Sequence, residues 1–421
     1  MNRIEFQQSE LLRFVTAGSV DDGKSTLIGR LLHDSKAIFE DQLAAVERTT
    51  RSRGLDGLDL SLLTDGLVAE REQGITIDVA YRYFSTPKRK FIIADTPGHD
   101  QYTRNMVTGA STANLAVILI DARNGVVMQS RRHAYIASLV GIPHLVVAVN
   151  KMDLVGYSRD VFGDIREEFD GFAVGLHFRD IIYIPISALK GDMVVDRGEN
   201  LPWYDGPALM ELLENIDIDH DLNLDDFRFP VQWVCRPGTD EHHDFRGYMG
   251  RIESGALAVG DPILVLPSGR SSRIRQILTL DGLLMHAAAP QSVTLLLEDD
   301  IDISRGDMIV KNGDNVSVAK QFDADICWLS EQPLDVRRKY AIKHTTKSVK
   351  AFVSQIQYRV DVNTLERFDG ISRLQMNDIA RVGVKVQQSL VIDSYARNRA
   401  TGRFIMIDDS THNTVAAGMI V

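Results

Sequence analysis

Cysteine is nearly missing from this chain of 421 residues: only Cys235 and Cys327 occur, far apart and without metal-ligand spacing. That excludes a disulfide framework and a cysteine metal site, and reads as two buried free thiols in a reducing compartment. Long apolar runs are missing as well. The longest, such as Leu115–Ile120, have the length of a strand and are too short to span a bilayer. Arg3, Glu5 and Glu10 precede any apolar run, which is not how a signal peptide opens. The expectation is a cytoplasmic protein with no membrane partner. Basic charge is also in deficit, with 47 Lys and Arg against 58 Asp and Glu and a formal charge of −11. That argues against binding nucleic acid through the whole surface. What remains is ordinary for a globular protein, 44% hydrophobic and 25% charged. The length calls for two to four domains.

The stretch with most chemistry in it is Gly18-Ser19-Val20-Asp21-Asp22-Gly23-Lys24-Ser25-Thr26. It lies between the apolar run Leu11–Val15, a buried strand, and Leu27–Leu32, a helix. A loop of the form G-x-x-x-x-G-K-[ST] requires that strand–loop–helix setting. Gly18 and Gly23 let successive backbone N–H groups converge on one anion, and the helix that begins near Lys24 adds the positive end of its dipole. Lys24 then bridges terminal phosphates and Ser25 offers a hydroxyl to Mg²⁺.

Residues 34–72 are mixed, polar and charged, and give no clear pattern. Arg71-Glu72-Gln73-Gly74-Ile75-Thr76 follows, leading into the alternating run Ile77–Phe84, a half-buried strand. A hydroxyl at Thr76 is positioned to join Mg²⁺ in a triphosphate state, although a β-branched residue opening a strand explains it equally well alone. Phe91–Ala94 is a short buried strand ending in Asp95-Thr96-Pro97-Gly98-His99. There Asp95 can hold Mg²⁺ through water, and Gly98 lets its N–H approach a γ-phosphate. Taken alone, this tetrapeptide is also a reasonable turn. His99 is a candidate to orient a water for in-line attack, or a structural residue beside a turn.

Leu115–Asp121 and His144–Val149 are further strands, with a helix over 128–140 between them. The second strand runs into Asn150-Lys151-Met152-Asp153. Asp153 suits the ring N–H and exocyclic amine of guanine, while Asn150 reads the O6/N7 side or braces the loop. Adenine presents the opposite pattern, so such a site rejects it by leaving buried groups unpaired. Ile181–Ile186 leads to Ser187-Ala188-Leu189, where a backbone N–H can meet guanine O6. Each element is weak alone. In order, each at the carboxyl end of an apolar strand, they define a guanine-nucleotide site on an open α/β sheet.

These motifs together resemble the translational GTPase superfamily. The phosphate loop reads Asp-Asp-Gly-Lys-Ser where the tRNA carriers of that superfamily have Asp-His-Gly-Lys-Thr. With the long runs over 62–84 and 91–106, the chain is similar to one branch in particular, the GTPase subunit of bacterial sulfate adenylyltransferase. The resemblance implies an α/β P-loop GTPase domain followed by two small antiparallel β-barrel domains, at 1–228, 229–321 and 322–421. It implies GTP/GDP and Mg²⁺ as ligands. Gly18 through Thr26, Asp95 through Gly98, Asn150, Lys151, Asp153, Ser187, Ala188 and Leu189 would form the nucleotide site. Ser25, Thr76 and Asp95 would hold the metal, and His99 with Thr76 would serve hydrolysis. It also implies a partner, a separate catalytic small subunit that carries out adenylyl transfer. An elongation factor delivering aminoacyl-tRNA is the alternative, since it shares nearly every residue of the nucleotide site.

Beyond 229, closely spaced strands with glycine turns (Gly255, Val259-Gly260-Asp261, Arg305-Gly306-Asp307) read as a small antiparallel barrel. A second strand-rich unit runs from about Phe322 to Val421, and only the resemblance separates the two. Arg337-Arg338-Lys339, Lys343, Lys347 and Lys350 are locally basic. A solvated strand face is the ordinary reading, a partner or RNA contact the alternative.

Overall fold

The computed structural model describes residues 11–36, 60, 79–98, 103–218, 223–236, 245–362 and 364–421. The chain divides into two compact units, Met1–Asp219 and His220–Val421.

The first unit is built on a six-stranded sheet. Its strands are β1 (Leu11–Ala17), β2 (Ala80–Ser85), β3 (Lys90–Asp95), β4 (Leu115–Asp121), β5 (His144–Asn150) and β6 (Asp180–Pro185), in the order β2-β3-β1-β4-β5-β6. All neighbours are parallel except the edge pair β2–β3. Central parallel strands are covered on both faces, which is why β4 and β5 are near-continuous apolar runs, buried along their whole length. Their last residues are polar, and Asp121 and Asn150 stand side by side in register. Asp95 likewise ends β3 opposite Thr16 of β1. The polar ends of these strands gather on one edge of the sheet, and the chain reverses direction across the sheet at β1. That is the crevice in which such sheets bind ligands. Helix α1 (Lys24–Asp34) follows β1 directly and buries Leu27, Ile28, Leu31 and Leu32, one face of a 3.6-residue period.

The second unit holds two closed antiparallel barrels of six strands. In the first, Pro262–Leu266, Met308–Lys311, Phe229–Cys235, Gly247–Arg251, Ser292–Leu297 and Arg270–Thr279 pair in turn, and the last pairs back onto the first. In the second, Tyr340–His344, Arg403–Asp408, Thr414–Ile420, Ser317–Trp328, Ile379–Ile392 and Lys347–Val360 close the same way. Closure leaves neither ring with an open edge, and each encloses its own apolar core. The barrels are joined by a small apolar cluster, Leu266, Met308, Val310 and Val391, and by a buried ionic clasp. Arg228, with no exposed surface, places Nε and Nη2 each 2.9 Å from the two carboxylate oxygens of Asp393. It also meets Asp314 at 3.2 Å, while Thr401 donates to Asp393 at 2.5 Å.

One expectation is adjusted by the structure. Cys327 is buried, but Cys235, at the end of its strand, is only half-buried. In the basic stretch, Arg338 and Lys350 are paired with Asp408 at 2.8 Å and Asp409 at 2.5 Å. Those two charges are neutralised locally, as a solvated face would have them.

Candidate functional site

The loop after β1 turns on two left-handed residues, Asp21 (φ 69°) and Gly23 (φ 90°), the latter capping the start of α1. A side chain at Gly23 would also collide with the Asn150 amide. Within the loop, the Ser19 N–H donates to Asp22 Oδ2 at 2.5 Å and the Asp22 N–H to Ser19 O at 3.2 Å. The Ser19 hydroxyl donates to Gln129 at 2.5 Å. Asp22 is buried. Burial pushes its carboxyl up to about 6, the Ser19 N–H opposes this, and the nearby charge of Asp121 adds to it.

Lys24 is folded inward from the first turn of α1, its ammonium 3.1 Å from Asp95 Oδ1 and donating to the Thr96 carbonyl. Both charges of this pair are buried. Ser25 and Thr26 occupy the same first turn. The Thr96 hydroxyl donates to Thr16 O at 2.8 Å, which pins the segment after β3 to β1. Pro97 leads to Gly98, where a Cβ would run into the Gly18 carbonyl and lie 3.3 Å from Val20 N. Only glycine permits that approach of two backbones, and it brings 95–98 onto the phosphate loop.

The third cluster gathers at the ends of β5 and β6. Asn150, fully inside, donates through Nδ2 to Asp22 O at 2.7 Å and accepts the Ala188 N–H on Oδ1 at 2.9 Å. Of its two expected tasks, bracing the loops is the one seen. Lys151 is left-handed (φ 63°), donates to Asp21 O and pairs with Asp121 at 2.9 Å. The Ser187 hydroxyl donates to Asp153 Oδ1 at 2.7 Å, and Leu189 is exposed at the tip. Direct contacts thus tie the phosphate loop to Asn150 and Lys151 at the end of β5, and Asn150 to the loop after β6. Thr76 and His99 fall outside the described residues.

Sequence reasoning missed Asp121. Burial works to raise its carboxyl, but bidentate Arg123 (3.0 and 2.6 Å), the Arg123 N–H and Lys151 outweigh this and hold it down at about 2. A permanently ionised carboxylate there fixes Lys151. Its position at the end of an apolar strand, the same signal that marked Asp95 and Asn150, was available in the sequence.

Residues 9–219 match the family described as the elongation factor Tu GTP binding domain, and 321–421 match the GTP-eEF1A C-terminal domain-like family. Fold and site together define a GTP-binding protein of the translational GTPase superfamily. The chain is 56% identical over 419 residues to sulfate adenylyltransferase subunit 1 of Alteromonas mediterranea, covering 99% of this chain and 88% of that one. The protein of the same name from Saccharophagus degradans is 55% identical, with the same coverage. A bifunctional enzyme CysN/CysC of Mycobacterium tuberculosis is 56% identical over 412 residues, covering 98% of this chain and 67% of that protein. The chain belongs to the sulfate adenylyltransferase subunit 1 family.

Proposed function

We propose that this chain is the GTP-hydrolysing subunit of a sulfate adenylyltransferase, coupling GTP hydrolysis to the formation of adenylyl sulfate and pyrophosphate from ATP and sulfate in sulfate assimilation. The supporting observation is identity above half over nearly the whole chain, both barrels included. Adenylyl transfer takes place on a separate catalytic small subunit, in the cytoplasm. Hydrolysis can drive such an uphill step only if the GTP and GDP states bind that partner differently, since a ligand without differential affinity shifts no equilibrium.

At the site, the amides of 18–23 and Lys24 hold the phosphates, with Ser25 and Thr26 in the first turn of α1. Asp95, Thr96, Pro97 and Gly98 approach the terminal phosphate. Ser25, Asp95 and Thr76 offer the hard oxygen donors that suit Mg²⁺, which would neutralise charge on the β- and γ-phosphates. The buried Asp95 carboxylate beside Lys24 fits that task. Asp153 accepts from the guanine edge, Lys151 flanks the ring, and the 187–189 loop faces O6. Thr76 completes the triphosphate site and His99 orients the attacking water. The domain division is 1–228, 229–321 and 322–421, the strand Ser317–Trp328 straddling the last boundary.

The test is to co-express the chain with its small subunit and measure GTP turnover with ATP and sulfate, and separately with ribosomes. Turnover raised by ATP and sulfate is expected. Stimulation by ribosomes alone would replace this reading with that of a tRNA-delivering elongation factor.

A further inference from the structure

Arg30 is no part of any motif, yet it reaches the base-binding loop from the phosphate-binding helix. It sits on α1 six residues after Lys24, with its side chain about four-fifths buried. Its Nε donates to the Ala188 carbonyl at 3.2 Å and its Nη2 to the Leu189 carbonyl at 2.6 Å. Asp34, one turn on, steadies the guanidinium from 3.5 Å. The stem lies against Gly191, where an added Cβ would come within 3.8 Å of it and where φ is +89°.

A peptide unit is planar, so its C=O and the following N–H point in opposite directions. By gripping the Ala188 carbonyl, Arg30 dictates where the Leu189 N–H points. The other amides of this loop are already engaged: Ala188 N–H with Asn150 Oδ1 at 2.9 Å, and Lys190 N–H with the Ser187 hydroxyl at 3.2 Å. Gly191 N–H donates to Ser187 O at 2.7 Å. Among the described residues, Leu189 N–H has no such partner. Arginine suits this role because its rigid planar fork presents separate N–H groups to two carbonyls at once, whereas lysine offers a single flexible ammonium.

We propose that Arg30 is a positioning residue for base recognition: it aims the Leu189 N–H at guanine O6 and couples the 187–189 loop rigidly to the phosphate-binding helix. This rests on the guanine-site reading above. Loss of Arg30 then weakens the O6 contact specifically, and leaves recognition of the exocyclic amine, which belongs to Asp153, unchanged.

The experiment measures binding of GDP, inosine diphosphate, 6-thioguanosine diphosphate and ADP to the full chain by calorimetry. Inosine lacks the exocyclic amine but keeps O6, whereas the thio analogue replaces O6 with a poor acceptor. Arg30→Ala should weaken GDP and inosine diphosphate alike, about tenfold for one lost hydrogen bond. The preference for GDP over its 6-thio analogue should shrink toward one, while the GDP-to-inosine ratio stays at its wild-type value. Arg30→Lys, retaining the charge but not the planar fork, should restore part of that preference, and it stands in if the alanine variant does not fold. An unchanged GDP affinity, or an unchanged 6-thio ratio, overturns the proposal alone. So does a fall in both ratios together, which marks general collapse of the loop. A wild-type chain that binds ADP as tightly as GDP overturns the guanine-site reading itself.

Discussion

Removing the Asn150 side chain cuts the tie between the phosphate loop and the base loop, and its cost can be worked from two contacts. Asn150→Ala leaves the Asp22 carbonyl and the Ala188 N–H, both buried, without partners at 2.7 and 2.9 Å. Each unsatisfied buried group costs about 1–3 kcal/mol, so the first unit should lose about 3 kcal/mol of stability. Without nucleotide, a urea titration followed by far-UV circular dichroism should show the unfolding of the first unit moving to lower denaturant, with a loss of about 3 kcal/mol. If the same contacts hold the site in shape for GDP, affinity should fall on the order of a hundredfold, the factor that about 3 kcal/mol represents. Asn150→Asp is a sharper probe. It keeps the acceptor toward Ala188 but sets a carboxylate oxygen against the Asp22 carbonyl, so it should be at least as damaging as alanine. An Asn150→Asp chain as stable as the wild type would refute the brace.

Asp153→Asn should move nucleotide preference from guanosine toward xanthosine diphosphate, read by competition binding; unaltered guanine preference would refute the assigned base contact. His99→Ala should slow single-turnover GTP hydrolysis while leaving GTP affinity nearly unchanged, and an unchanged rate would make His99 structural. The buried Asp22 carboxyl titrates near 6 in the fold, above its unfolded value of 3.8. Its protonated form favours the folded chain, so its contribution, up to about 3 kcal/mol, is full below pH 3.8 and lost as pH rises through 6. Asp22→Asn should flatten the stability-against-pH curve over that window, relative to wild type, in thermal melts. Arg228→Met leaves Asp393 buried without its partner and should destabilise the second unit by about 3–5 kcal/mol; the double change with Asp393→Leu should recover much of the loss, as paired charges replaced by apolar groups often do.

Much of the site is legible in the sequence, because its logic is local. A glycine that must adopt a positive φ, a lysine and hydroxyl opening a helix, and a polar residue ending an apolar strand are signals a few residues long. Gly23, Lys24, Asp95 and Asn150 carry those signals. The barrels showed as short strands and glycine turns, but their separation did not, since a strand's partner is set by closure and not by its own pattern. The half-buried state of Cys235 was invisible for the same reason.

The sequence by itself determined which chemical groups stand at the sheet's edge and in what order, since strand ends and turns follow from apolar runs and glycines. Only the tertiary structure decided which of those groups touch. Asn150 meets Asp22 across 128 positions, Arg30 meets Leu189 across 159, and Arg228 meets Asp393 across 165. Such contacts are fixed by the order in which strands pair and barrels close. That order is a property of the whole chain's burial, and no short stretch of residues encodes it.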